Sequence, residues 1–296
     1  MGIDAAHYHP WDGRLRAPWR ATGAVVRVTL LQVMRRKAYW LLLALGLGQF
    51  LVYWAIIYAL TQMQLPPQAQ ERMLQGFGFS ATAADPQDSG YLDFMEKQSL
   101  IVMILLAFCG SLTVGSDFRG GALPFYLSRR IDRRHYVAGK LLAVAAVVWL
   151  LTVVPALLLF VEYGLFTTSF DYWIDNWRVV PALLGYGLVL GGVLAVWSTA
   201  LAAYLQKAAP IAVTWASLFV LLGRLSVLMR DSSGDRRWLL VDPWRDLRLA
   251  GRLFFGTFRT PVDRDLSRDA ALLLAALTAV ALVLLVRRVR AVEVAT

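Results

Sequence analysis

The stretch LLAVAAVVWLLTVVPALLLFVEYGLF, residues 141–166, decides the architecture. Glu162 is its one acidic or basic residue. About 20 apolar residues in helical conformation cross the hydrocarbon core of a bilayer. A helix also satisfies every backbone N–H and C=O within its own segment, as lipid demands. This stretch therefore reads as a membrane-spanning helix, with Pro155 inside it as a kink.

Working outward, comparable apolar runs lie at about 40–60, 97–115, 179–205, 208–229 and 270–286. The chain is thus expected to be an all-α membrane protein of six spans. Residues 1–17 form a mobile N-terminal tail, residues 18–290 a single transmembrane domain and residues 291–296 a C-terminal tail. The run at 97–115 is short and is expected to begin earlier, near Glu96. Tyr39, Trp40, Tyr53, Trp54 and Tyr58 populate the ends of the first span, as interfacial aromatics do. Gly185, Gly187, Gly191 and Gly192 in the fourth span predict the close approach of another helix. Composition agrees: 58% of residues are hydrophobic, and mean hydropathy is +0.55.

Before the first span, Trp19, Thr22, Val26, Leu30 and Val33 recur at helical spacing, with Arg20, Arg27 and Arg36 as basic shoulders. Pro18 stands where such a helix starts. This predicts an amphipathic helix lying in the membrane interface. No cleavable signal segment is expected, because the first apolar run is too long for one. Cys109 is the lone cysteine, which excludes an intramolecular disulfide.

The formal charge of +10 suggests nucleic acid at first sight. The basic residues instead cluster at the ends of apolar runs, which is the pattern that orients membrane proteins. No nucleic-acid partner is expected. Arg35, Arg36 and Lys37, then Arg129 to Lys140, then Arg287, Arg288 and Arg290 mark one side, so both termini are expected to be cytoplasmic. The 230–269 segment opposes this rule with nine arginines, interleaved with seven aspartates. Moving it inside would strand the other basic loops outside. Its apolar residues, among them Trp238, Leu247 and Phe254, predict one or two short helices at the outer leaflet.

The segment from Gly115 to Lys140 carries the functional signal. Asp132 is placed to cap a helix in which Tyr136 and Lys140, four residues apart, share a face. A short cytoplasmic helix pair between two spans is a compact lever for motion from a soluble partner.

These residues resemble the ABC-2 family of export permeases. Asp117 stands at the family's acidic position, and Gly121, Ala122 and Leu123 at its Gly-Thr-Leu step. Ile131 and Arg133 match its Ile-x-Arg element, and Tyr136, Gly139 and Lys140 its Tyr-x-x-Gly-Lys element. Asp117 replaces the commoner Glu, and Arg130 stands where Pro is usual. The likeness extends over residues 18–290 in layout: an interfacial helix, six spans and helices between spans five and six. It implies that the helix pair couples to an ATPase through Asp117, Arg119, Leu123, Phe125, Arg129, Ile131, Arg133, Tyr136 and Lys140. It further implies two copies of an ABC ATPase subunit, a second permease copy or a related permease, and export across a bacterial inner membrane. The excess of Arg over Lys fits a GC-rich bacterial genome.

The chain has no P-loop of its own. Arg134 stands where the first glycine is needed and Leu141 follows Lys140, so ATP and Mg are expected on the partner subunit. No catalytic, cofactor or metal site is expected: His7 and His9 lack further ligands, and His135 reads as a surface residue. Glu162 could pair with Arg224 at a similar depth, or each could snorkel outward separately. Two other functions compete with export. One is a non-transporting scaffold or mechanical relay that meets an envelope partner at the 230–269 segment. The other is a membrane-embedded enzyme, which the absence of any His in a span disfavours.

Overall fold

A computed structural model describes residues 19–63, 66–77, 90–109, 114–121, 132–167, 170–258 and 260–294. Among the described residues every regular element is helical. They are α1 (Trp19–Met34), α2 (Lys37–Gln62), α3 (Pro67–Phe77), α4 (Gly90–Cys109), α5 (Gly115–Arg119), α6 (Arg133–Leu151), α7 (Val153–Phe166) and α8 (Asp171–Asp175). There follow α9 (Val179–Leu205), α10 (Ala208–Ala216), a π-helical turn (Ser217–Leu221), α11 (Leu222–Ser233), a 3-10 turn (Arg236–Val241), α12 (Pro243–Phe255) and α13 (Pro261–Val294).

Among the described residues, five helical stretches are long and apolar enough to cross a membrane: Lys37–Gln62, Arg133–Phe166, Val179–Leu205, Ala208–Ser233 and Pro261–Arg290. They correspond to the expected first, third, fourth, fifth and sixth spans. The expected second span falls on α4, which starts at Gly90 rather than 97 and carries Asp93, Glu96 and Lys97 in its first turns. Many large apolar side chains turn outward along these stretches, including Leu41, Leu188, Leu228 and Leu272. Such a surface is untenable in water but natural against lipid. The protein is therefore a multi-pass helical membrane protein.

α9 is the central helix, with 61% of its most apolar window buried against 17% for α13. Its glycines explain how neighbours reach it. A methyl on Gly191 would run into the Trp149 indole, one on Gly187 into Val153, and one on Gly185 into Phe254. Gly192 is the exception, facing open space. Trp149 donates its indole N–H to the Gly187 carbonyl at 2.8 Å, tying α6 to α9.

The long third span breaks at Thr152, between α6 and α7. Pro155 lacks the N–H that would bond back to Leu151, so the irregularity falls one turn before it. The fifth span contains a π-helical turn that the apolar pattern does not signal. There Trp215 donates to the Met103 carbonyl at 3.1 Å, and Phe219 packs on Trp215 with ring centroids 5.0 Å apart.

Several boundaries differ from the sequence expectation. The 230–269 segment is mostly helix: α11 runs on to Ser233, α13 begins at Pro261 rather than 270, and the 3-10 turn and α12 lie between. Asp242 caps α12 by accepting from the backbone N–H of Trp244 and Arg245. Gly234 and Gly256, both at φ +71°, close α11 and α12. In α1 the buried face is Val25, Thr29 and Val33, and Trp19 is exposed. Tyr39 and Tyr53 face inward rather than anchoring at an interface.

Candidate functional site

Among the described residues, Asp117, Tyr136, Gly139 and Lys140 of the motif converge at the end of the bundle where α6 begins and α9 and α13 end. α5 is a single turn, held by Asp117 and Phe118 donating backbone N–H bonds to Val114 O. Gly121, at φ +62°, turns the chain away after it. This places the Asp117 carboxylate against α6. One oxygen, Oδ2, accepts from the Tyr136 hydroxyl at 2.7 Å and from the Lys140 ammonium at 2.8 Å. All three side chains are buried: Asp117 is 5% exposed, Lys140 2% and Tyr136 0%. The four-residue spacing of Tyr136 and Lys140 on one helix face lets both reach a single carboxylate.

Gly139, between them, has a different task. A Cβ there would lie 2.8 Å from Val25 Cβ and 3.0 Å from Thr22 O, so glycine allows α1 to cross α6 closely. Gly115 plays the same part toward α9, where a Cβ would sit 3.1 Å from the carbonyls of Ala202 and Gln206. Val25, Val114, Tyr136, Val137, Ala203 and Val289 form a separate apolar cluster around the ion pair. Arg288 of α13 completes the enclosure, its guanidinium 5.7 Å from the Phe118 ring and 5.5 Å from the Tyr204 ring. Motif matching does not find Arg288, Phe118, Tyr204 and Gly115, because their partners are remote in sequence.

Burial changes the role of the expected coupling residues. Asp117, Tyr136 and Lys140 are turned inward and bonded to one another, so they fix α5 to α6. Arg119 at the end of α5 is exposed, and Arg133 is half-buried. Leu123, Phe125, Arg129 and Ile131 lie outside the described residues, as do His7 and His9. Asp132 occupies the N-cap of α6 but makes no side-chain capping bond.

Glu162 lies 26 residues beyond Tyr136, roughly 40 Å along the helix at 1.5 Å per residue. It is buried, and neither carboxylate oxygen has a hydrogen-bond partner. The pairing with Arg224 is not made. Arg224 is exposed on α11, which packs chiefly on the 3-10 turn and α12. Aromatic rings surround this end: Tyr163 stacks on Tyr172 at 4.7 Å, and Tyr91 and Tyr172 share a hydroxyl–hydroxyl bond of 2.7 Å.

The same end holds a half-exposed polar network. Asp93 pairs with Lys97 at 2.7 Å and accepts from the Tyr53 hydroxyl, and Glu96 pairs with Arg248 of α12. Behind it Asp246 is fully buried, one oxygen unpartnered. Desolvation pushes its carboxyl up to about 8; Asp242 adds to the rise and Arg245 opposes it.

No protein-family model matches the chain, and no curated protein matches it in sequence.

Proposed function

We propose that this chain is the permease subunit of an ATP-driven ABC-type exporter, six spans with both termini cytoplasmic, in a bacterial inner membrane. The observation that supports this most is the buried Asp117–Tyr136–Lys140 node. It ties the short helix after α4 rigidly to the start of the long third span, at the positions that carry the resemblance to export permeases. A push on α5 from a soluble subunit would travel through the ion pair into α6, and through Arg288 and Gly115 into α13 and α9. The node is then a positioning device, and Arg119 with the residues that follow it is the contact. α4 serves as the second span, its apolar part continuing past Gln98.

ATP hydrolysis belongs to a separate subunit, present in two copies, with a second permease completing the pathway. A mechanical relay is the second reading. It rests on the exposed Arg236, Arg237 and Trp238 on the opposite end, a surface fit for an envelope partner.

The test is gentle purification of the tagged protein from its native membrane, with co-purifying proteins identified by mass spectrometry. A P-loop ATPase that co-purifies, and that hydrolyses ATP faster with the permease present, is the expected result. An envelope protein with no ATPase under any mild detergent would overturn the exporter proposal.

A further inference from the structure

A cleft of about 350 Å³ opens on the flank of the node, between the first turns of α6 and the last turns of α13. Its floor is apolar, made by Val137, Ala138, Leu141, Val286 and Val289, and Arg133, Arg134 and Arg290 stand at its mouth. The vertical order of these residues is informative. Leu141 and Val286 stand where the apolar runs of the two helices end, and the arginines lie beyond them. Arg134 is seven residues from Leu141, roughly 10 Å along a helix, the depth of a headgroup layer. Within 132–141 and 286–290, Asp132 is the lone acid. Lys140 is already committed to Asp117. Arg134 and Arg290 are exposed.

A cationic rim above an apolar floor, at the boundary between the two, complements one chemistry: a phosphate on a hydrocarbon chain. We infer that this cleft seats an anionic phospholipid, its headgroup on Arg134 and Arg290 and an acyl chain along Val137, Leu141 and Val286. The lipid bridges α6 and α13, which touch only lightly here. It thereby buttresses the node from outside the bundle, whatever soluble partner the chain has.

The test is native mass spectrometry of the purified full chain, titrated with phosphatidylglycerol or with phosphatidylcholine of the same acyl chains. Wild type is expected to retain phosphatidylglycerol at least about tenfold better. Arg134→Gln with Arg290→Gln, both at exposed positions, brings it down to the phosphatidylcholine level. Val286→Trp, which fills the floor and leaves the charges, also lowers retention; circular dichroism verifies that each variant is folded. Equal retention of the two lipids, or retention unchanged by the arginine pair, would overturn the inference. So would competition by millimolar inorganic phosphate together with indifference to Val286→Trp, since that describes an anion site without a lipid chain.

Discussion

The two ends of the long third span handle charge in opposite ways. At the α6 end, Asp117, Tyr136 and Lys140 are fully enclosed, and the carboxylate oxygen has two donors. At the α7 end, Glu162 is enclosed with no partner, while Asp93, Lys97, Glu96 and Arg248 pair at half-exposed positions. A buried ion pair is a poor source of net stability, because desolvation cancels most of its attraction. It is, however, highly sensitive to losing one member. The α6 end is thus built for fixed geometry, and the α7 end tolerates local rearrangement.

The sharpest way to break this contrast is Asp117→Ala. It leaves Lys140 charged and unpaired, and is expected to cost about 3–5 kcal/mol of unfolding free energy in detergent. Asp117→Leu combined with Lys140→Met should restore most of that loss, which a double-mutant cycle reads directly. Tyr136→Phe removes one hydrogen bond to a charged acceptor and is expected to cost about 1.5–3 kcal/mol.

The opposite end gives smaller and differently signed effects. The folded state keeps Asp246 protonated above its usual 3.8, up to about 8. The unfolded chain releases that proton sooner, so the contribution of Asp246 to stability is full below pH 3.8 and is lost as pH rises toward 8. Asp246→Asn is expected to flatten this slope and to raise the melting midpoint at pH 7.5. The smallest effect belongs to Arg248→Gln: its pair with Glu96 is half-exposed, so a loss of at most about 1 kcal/mol is expected, shrinking with salt.

The same contrast governs what can be read from residues alone. Tyr136 and Lys140 are four apart, so their shared face is legible, but the carboxylate that meets it, Asp117, is brought there by the turn of α5 and is not. Glu96 and Arg248 are separated by about half of the chain, and no spacing rule connects them. Tyr53 looks like an interfacial anchor by position, yet packing turns it inward to Asp93. Hydropathy finds the apolar centres of helices but not their polar ends. Hence α13 starts nine residues before the expected 270. The local signals were present there: Asp242 before Pro243, Thr260 before Pro261, and Gly234 and Gly256 as stops. The π-helical turn at Ser217–Leu221 has no such marker, and the contacts beside it, Trp215 on α4 and Phe219 on Trp197 of α9, are remote in sequence.

On the proposed function, the enclosed end receives the push of an ATPase through α5. A photo-crosslinking residue placed at exposed Arg119, with a second at exposed Arg237 as the opposite-end control, tests it in native membranes. Crosslinking of a P-loop ATPase from position 119 and not from 237, abolished by Asp117→Ala in protein that still reaches the membrane, is the predicted result. No ATPase captured from position 119, or equal capture from both ends, would contradict it.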